Sequence, residues 1–130
     1  MRQHSILSDK IGHGAAPIPL GCRIGPILAT SGIMGRDINS GEMPAEAAEQ
    51  ARNCFRNLAF VLGEAGMDLG DVVKLTAYVK EDSLRDVVNA PWLEHYPDPA
   101  KRPARHTQIL PLRGAVLVQI EALAVAKEAQ

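Results

Sequence analysis

The stretch Leu117-Val118-Gln119-Ile120-Glu121-Ala122-Leu123-Ala124-Val125 decides the fold. Its apolar character reads as a buried strand, yet it carries a carboxylate at Glu121. A carboxylate in such a strand needs a partner, a shifted pKa or a cleft to face. Sixteen positions earlier stands Arg105, within Arg102-Pro103-Ala104-Arg105-His106-Thr107. A buried guanidinium has the same need and cannot deprotonate. The two together point to a small polar pocket with a carboxylate-binding arginine and an acid/base carboxylate. Leu117, Leu123 and Val125 are read on the same side as Glu121, so that side of the strand also requires a cover.

Outward from this strand, a second is predicted over Pro103 to Ile109, with its proline at the end of the ladder. Val72 to Val79 reads as a third, with Val73, Leu75, Ala77 and Val79 on one side and Lys74, Thr76 and Tyr78 on the other. Toward the N-terminus, a short strand is expected from Ile6 to about Lys10. The pair Cys22–Ile24 and Ile27–Ser31 reads as a hairpin turned at Gly25-Pro26. Ala47, Ala51, Phe55, Leu58 and Leu62 recur at helical spacing. Pro44 is placed at the helix's first position and Gly66 at its C-terminal cap, with Arg52, Asn53, Arg56 and Asn57 on a solvated face. A second helix, capped by Asp82 or Ser83, runs to about His95 and is kinked or restarted at Pro91. The order is β-β-β-α-β-α-β-β: an α+β fold, with a mixed six-stranded sheet carrying two helices on one face. No helix remains to cover the other face, so a second subunit is the economical cover.

Composition narrows the function. In 130 residues, 46% are hydrophobic and 22% charged, which fits an ordinary globular domain. A formal net charge of −1 and 4% aromatic residues give little support to nucleic-acid binding. No window approaches a membrane span, and the N-terminus lacks the apolar core of a secretion signal. Cys22 and Cys54 lack metal-ligand spacing and read as small core residues, so a soluble, reducing, cytoplasmic setting is expected. No metal site, phosphate loop or Ser-His-Asp set is apparent.

Several fragments recur in a specific order: Thr30-Ser31-Gly32, Gly41-Glu42, Ala65-Gly66, Gly70-Asp71-Val72-Val73-Lys74, Val87-Val88-Asn89-Ala90, Arg102-Pro103-Ala104-Arg105 and Ile120-Glu121-Ala122-Leu123-Ala124-Val125. Taken together they resemble the RidA/YjgF family, also labelled L-PSP endoribonuclease-like. The resemblance covers nearly the whole chain and implies one RidA/YjgF-like domain over 1–130 with a chorismate-mutase-like fold. It further implies a homotrimer with three sites in clefts between subunits. In the deaminating branch the substrates are reactive 2-imino or 2-enamino acids, hydrolysed without a cofactor to 2-oxo acids and ammonia. By this resemblance Arg105 is the substrate-carboxylate arginine, and Glu121 is the glutamate that positions or activates water. Ser31 and Asn89 line the pocket, and backbone near Gly32 and Thr107 contacts the substrate. The chain departs from the family's pattern at Ile18, where an aromatic hydroxyl is usual, and at Thr107, where cysteine is frequent. His106 and Gln108 replace commoner small and apolar residues.

These residues fit an imine deaminase. Ile18 makes the pocket mouth more apolar, which leaves room for a 2-aminomuconate-type deaminase. A non-catalytic, regulatory binder of small carboxylates needs Arg105 but not Glu121. A ribonuclease, suggested by the family's older label, is disfavoured because His4, His13, His95 and His106 stand singly and no overall basic surface exists.

Overall fold

Residues 3–128 are described by a computed structural model. The strands are β1 (Gln3–Ile6), β2 (Gly21–Ile24), β3 (Ile27–Thr30), β4 (Ile33–Met34), β5 (Val72–Val79), β6 (Ala104–Ile109) and β7 (Val118–Val125), and the helices are α1 (Ala47–Glu64) and α2 (Asn89–His95). The sheet order is β1-β2-β3-β7-β5-β6, with β4 also paired to β7. β5 and β6 run parallel and every other pairing is antiparallel. The fold is therefore α+β with a mixed sheet, as the sequence predicts. Among the described residues it has seven strands rather than six, because the two-residue β4 continues the line of β3 along β7.

The core lies between the sheet and the helices. β5 contributes Leu75, Ala77 and Val79, and β7 contributes Val118, Ile120, Ala122 and Ala124, all buried. They meet Ala51, Cys54, Phe55, Leu58, Val61 and Leu62 of α1. Full burial of a large aliphatic side chain contributes about 1.5–3 kcal/mol, so this stripe fixes the register of β7 and turns Gln119, Glu121, Leu123 and Val125 to the opposite face. On that open face Ile24, Ile27 and Val125 form one cross-strand row, each at least 42% exposed. It is the uncovered face that the sequence anticipates.

Gly25 (φ 58°) opens the two-residue β2–β3 turn. α1 ends in a Schellman motif. Gly66 takes φ 73°, its N–H donates to the Gly63 carbonyl, and the Met67 N–H donates to the Leu62 carbonyl.

Several local expectations fail for identifiable reasons. β1 lies earlier than Ile6–Lys10, set by its antiparallel register on β2. Pro44 precedes α1 by three residues, and its carbonyl accepts a hydrogen bond from Gln50 Nε2 at 2.7 Å. Asn53 and Asn57 are buried, not solvated. Their amides donate to the carbonyls of Gly35, and of Met34 and Arg36, tying the strand after β4 to the helix. Neither Asp82 nor Ser83 caps a continuous helix. A 3₁₀ segment covers Asp82–Val88, and α2 then starts afresh, with Pro91 in its first turn, where no intrahelical N–H is required. Val73 is half exposed, because a bulge between Val72 and Lys74 interrupts the alternation. Leu117 lies outside β7 and packs against the core rather than beside Glu121.

The turn into β5 carries a pH-sensitive contact. Asp71 is buried and accepts from Lys127 Nζ at 2.8 Å and from the Asp68 N–H at 3.0 Å. Burial alone would raise its carboxyl, but these donors outweigh it and hold the pKa below the ordinary 3.8. The contact is fully present above that value and is lost as the pH falls through the lower folded-state pKa. Urea midpoints measured from about pH 5 to about pH 2 should fall, and Lys127→Met should show a smaller acid-induced loss.

Candidate functional site

Arg105 lies on the edge strand β6 opposite the core residue Leu75, so its side chain faces the helix layer. The guanidinium sits 5.2 Å from the Trp92 ring centroid. Its Nη1 donates to Asn89 Oδ1 at 2.9 Å and its Nε to Thr107 Oγ1 at 3.1 Å. Burial draws its pKa below the ordinary arginine value, and the Asp86 carboxylate opposes this shift. Among the described residues no carboxylate forms an ion pair with it. The cation is thus oriented by neutral groups and one aromatic face, with Asp86 acting on it only at a distance and Nη2 making no hydrogen bond among the described residues. Three of the residues expected at the site, Arg105, Asn89 and Thr107, come together here. Asn89 and Thr107 hold the arginine.

Ser31 and Gly32 occupy a second location. Ala29 opposes Leu123 and Ile33 opposes Ile120, so three residues of this strand span two of β7. Within this bulge Thr30 Oγ1 accepts from the Ala122 N–H at 2.9 Å, and the Ser31 N–H donates to the Leu20 carbonyl at 2.9 Å. The Gly32 carbonyl lies 2.9 Å from His13 Nε2. With Nε2 donating, His13 Nδ1 is left buried and without a partner among the described residues. A Cβ at Gly32 would lie 2.5 Å from Gln119 Nε2, so any larger residue here would displace the Gln119 amide. Ile18 lies on the neighbouring loop, half exposed, beside a hollow of about 410 Å³ that His13 also lines.

The side chain packed on Gly32 is therefore Gln119, which the sequence reading passed over. The charge of Glu121 drew attention to the strand, but strand alternation places Gln119 on the same face two residues earlier. That periodicity was the available signal.

Glu121 sits further along, opposite Thr76. Tyr78 Oη donates to Glu121 Oε1 at 2.5 Å, and the phenol's pKa is raised first by this bond, then by burial and by the carboxylate's charge. Glu121, Lys74, Thr76 and Thr30 line a shallow hollow of about 220 Å³ on the open face. His106, opposite Thr76, shares that face, pointing away from the Arg105 side as alternation predicts.

Arg105 and Glu121 consequently lie on opposite faces of the sheet. They are two strands apart, about 10 Å at the usual strand spacing. Arg105 and the Ser31–Gly32 bulge are three strands apart, about 14 Å. Within one chain the expected residues fall into two separate groups, one on the β6 edge and one around the bulge.

Comparison with known proteins agrees with this architecture. A family model described as Endoribonuclease L-PSP matches residues 16–126. The 2-iminobutanoate/2-iminopropanoate deaminase of Escherichia coli K12 is 32% identical over 123 residues, covering 93% of this chain and 96% of the relative. The crystal structure of the E. coli YjgF gene product superposes with a TM-score of 0.84 at 30% identity, covering 95% of this chain and 99% of that one. E. coli TdcF with bound serine superposes with a TM-score of 0.84 at 25% identity, covering 95% and 99%. With a match that spans most of its length and a relative covered almost end to end, the chain belongs to the Endoribonuclease L-PSP family, the RidA/YjgF proteins.

Proposed function

We propose that this protein is a cofactor-free hydrolytic deaminase of 2-imino and 2-enamino acids, working at sites built between copies in a homotrimer. The observation that carries the reading is Arg105: a half-buried guanidinium, held by Asn89, Thr107 and Trp92, with no acidic partner among the described residues. Such a fork meets both oxygens of a substrate carboxylate. The name of the E. coli deaminase and the serine in TdcF, itself a small amino acid, support a ligand of this class.

In the reaction, water adds to C2 of the imine to give a carbinolamine. A proton passes to nitrogen, the C–N bond breaks, and ammonia leaves a 2-oxo acid. Gln119, against Gly32, positions water or the substrate nitrogen. Glu121, the carboxylate on the same face, exchanges protons and is oriented by Tyr78. The two groups are too far apart for one small ligand within a chain, which supports assembly of the β6 edge of one copy against the bulge of another. The exposed apolar row on the open face supports burial against further copies.

Imine generated from threonine by a dehydratase should be converted to 2-oxobutanoate faster with the protein than in buffer, and equal rates would reject the reading. Glu121→Gln should lower kcat by roughly a hundredfold while leaving KM nearly unchanged, the range for a lost general acid–base. Full turnover by Glu121→Gln would move the proton step to another group. Co-assembly of two inactive variants, Arg105→Ala and Gly32→Val, should restore activity if each site draws on two copies. Failure of mixed assemblies to recover any activity would count against the shared site.

A further inference from the structure

We propose that the half-site around Ser31–Gly32 carries a second anion-binding position, so that the preferred substrates are imino acids with a second carboxylate on the side chain. This rests on the deaminase reading above. The position is a hollow of about 500 Å³ lined by Lys10, His13, Arg36 and Arg113, with Asp9 as its one carboxylate. That volume falls within the usual range of small-molecule sites, about 300–1,000 Å³.

Two features connect the hollow to the reaction site. His13, which lines it, bonds the Gly32 carbonyl through Nε2. Met34, also in its lining, pairs across the ladder with Gln119. The hollow therefore adjoins the bulge through His13 and through the Met34–Gln119 pair.

Two of the three cations are held by neutral partners, and Arg113 is exposed with no side-chain hydrogen bond among the described residues. Arg36 Nη1 donates to the Gly41 carbonyl at 3.1 Å, and Lys10 Nζ to the Asn39 carbonyl at 2.9 Å. No ion pair among the described residues neutralises Lys10, Arg36 or Arg113, and Asp9 pairs with none of them. Carbonyl partners orient these donors without cancelling their charge, which is what recognition of an incoming carboxylate requires. An apolar or neutral substrate side chain would leave three cations around it unused.

The test compares imines generated in place by an amino-acid oxidase from glutamate, which carries a second carboxylate, and from 2-aminobutyrate, which does not. Both release ammonia and the matching 2-oxo acid, so one assay reads both. The kcat/KM for the glutamate imine should exceed that for the 2-aminobutyrate imine at least tenfold. Arg36→Met and Arg113→Met should each reduce this ratio at least fivefold. An equal or inverted ratio in the wild-type protein, or a ratio unmoved by both substitutions, overturns the proposal. Calorimetry with 2-oxoglutarate and 2-oxobutanoate separates it from the deaminase reading. If neither imine is turned over, the activity is wrong, and tighter binding of 2-oxoglutarate that is lost in Arg36→Met still supports the second anion position. Equal binding of the two acids, or inorganic phosphate competing as well as 2-oxoglutarate, overturns it.

Discussion

Arg105→Ala should lower kcat/KM for a 2-imino acid by roughly a thousandfold, about 4 kcal/mol, the range for removing one partner of a desolvated, hydrogen-bonded charge pair. The loss arises because the neighbouring cation, Arg85, is already turned to the Thr107 carbonyl at 3.4 Å and to Asp82, and does not replace the Arg105 fork. The groups that hold Arg105, Asn89, Thr107 and Trp92, are neutral, so they orient a ligand poorly without it. Arg105→Lys keeps the charge but not the fork, and Lys cannot bond Asn89 and Thr107 while meeting both carboxylate oxygens. A residual loss of roughly thirtyfold is expected for it, seen mainly in KM. Steady-state kinetics with a dehydratase-generated imine check both values. Urea unfolding of the same variants should show little change, since the arginine makes no ion pair whose loss would strand a buried charge. If Arg105→Ala turned over its substrate normally, the carboxylate would have to bind elsewhere.

Gln50→Leu should destabilise the fold by about 4 kcal/mol, a large part of an ordinary domain's stability. Gln50 is fully buried at the start of α1. Its Nε2 donates to the carbonyls of Pro44 at 2.7 Å and Ala115 at 2.9 Å, and its Oε1 accepts from the Leu117 N–H at 2.8 Å. One amide thus satisfies backbone groups of two loops, and leucine would remove all three bonds at once. Those loops enter α1 and β7, so the entry to β7 should loosen as well. Urea denaturation reads the stability, and hydrogen exchange at Leu117 should accelerate more than at Leu75 in β5.

The fold was legible where periodicity is long and one-sided. The α1 stripe from Ala51 to Leu62 and the alternation of β7 leave one arrangement that buries both, and the structure has it. Legibility failed where a side chain serves the backbone of a distant segment. Asn53, Asn57 and Gln50 look like surface amides in a helix, and only the three-dimensional course of residues 34–36 and 115–117 makes them buried donors. The bulge at Val73 was invisible for a related reason, because it depends on the register of β5 against β7. At the site, residue chemistry singled out Arg105, and the structure adds what the sequence did not indicate, that the Asn89 and Thr107 side chains bond its guanidinium. Gln119 was missed because a neutral amide in a strand raises no electrostatic alarm. What identifies it is its contact with Gly32, which no spacing rule encodes.

The strand that joins the two parts of the sheet is made after both of them. β7 hydrogen-bonds β3 on one side and β5 on the other, yet it follows both of them in the sequence. During translation, β3 and β5 must wait with bare edges until residue 118 and beyond have left the ribosome. A nascent chain stopped short of β7 has two sheet fragments joined only through α1, with the middle of the core missing, so it should be protease-sensitive and prone to clump with its neighbours. Pairings this distant in sequence also favour slow refolding, which makes chaperone dependence during synthesis a property of the topology itself.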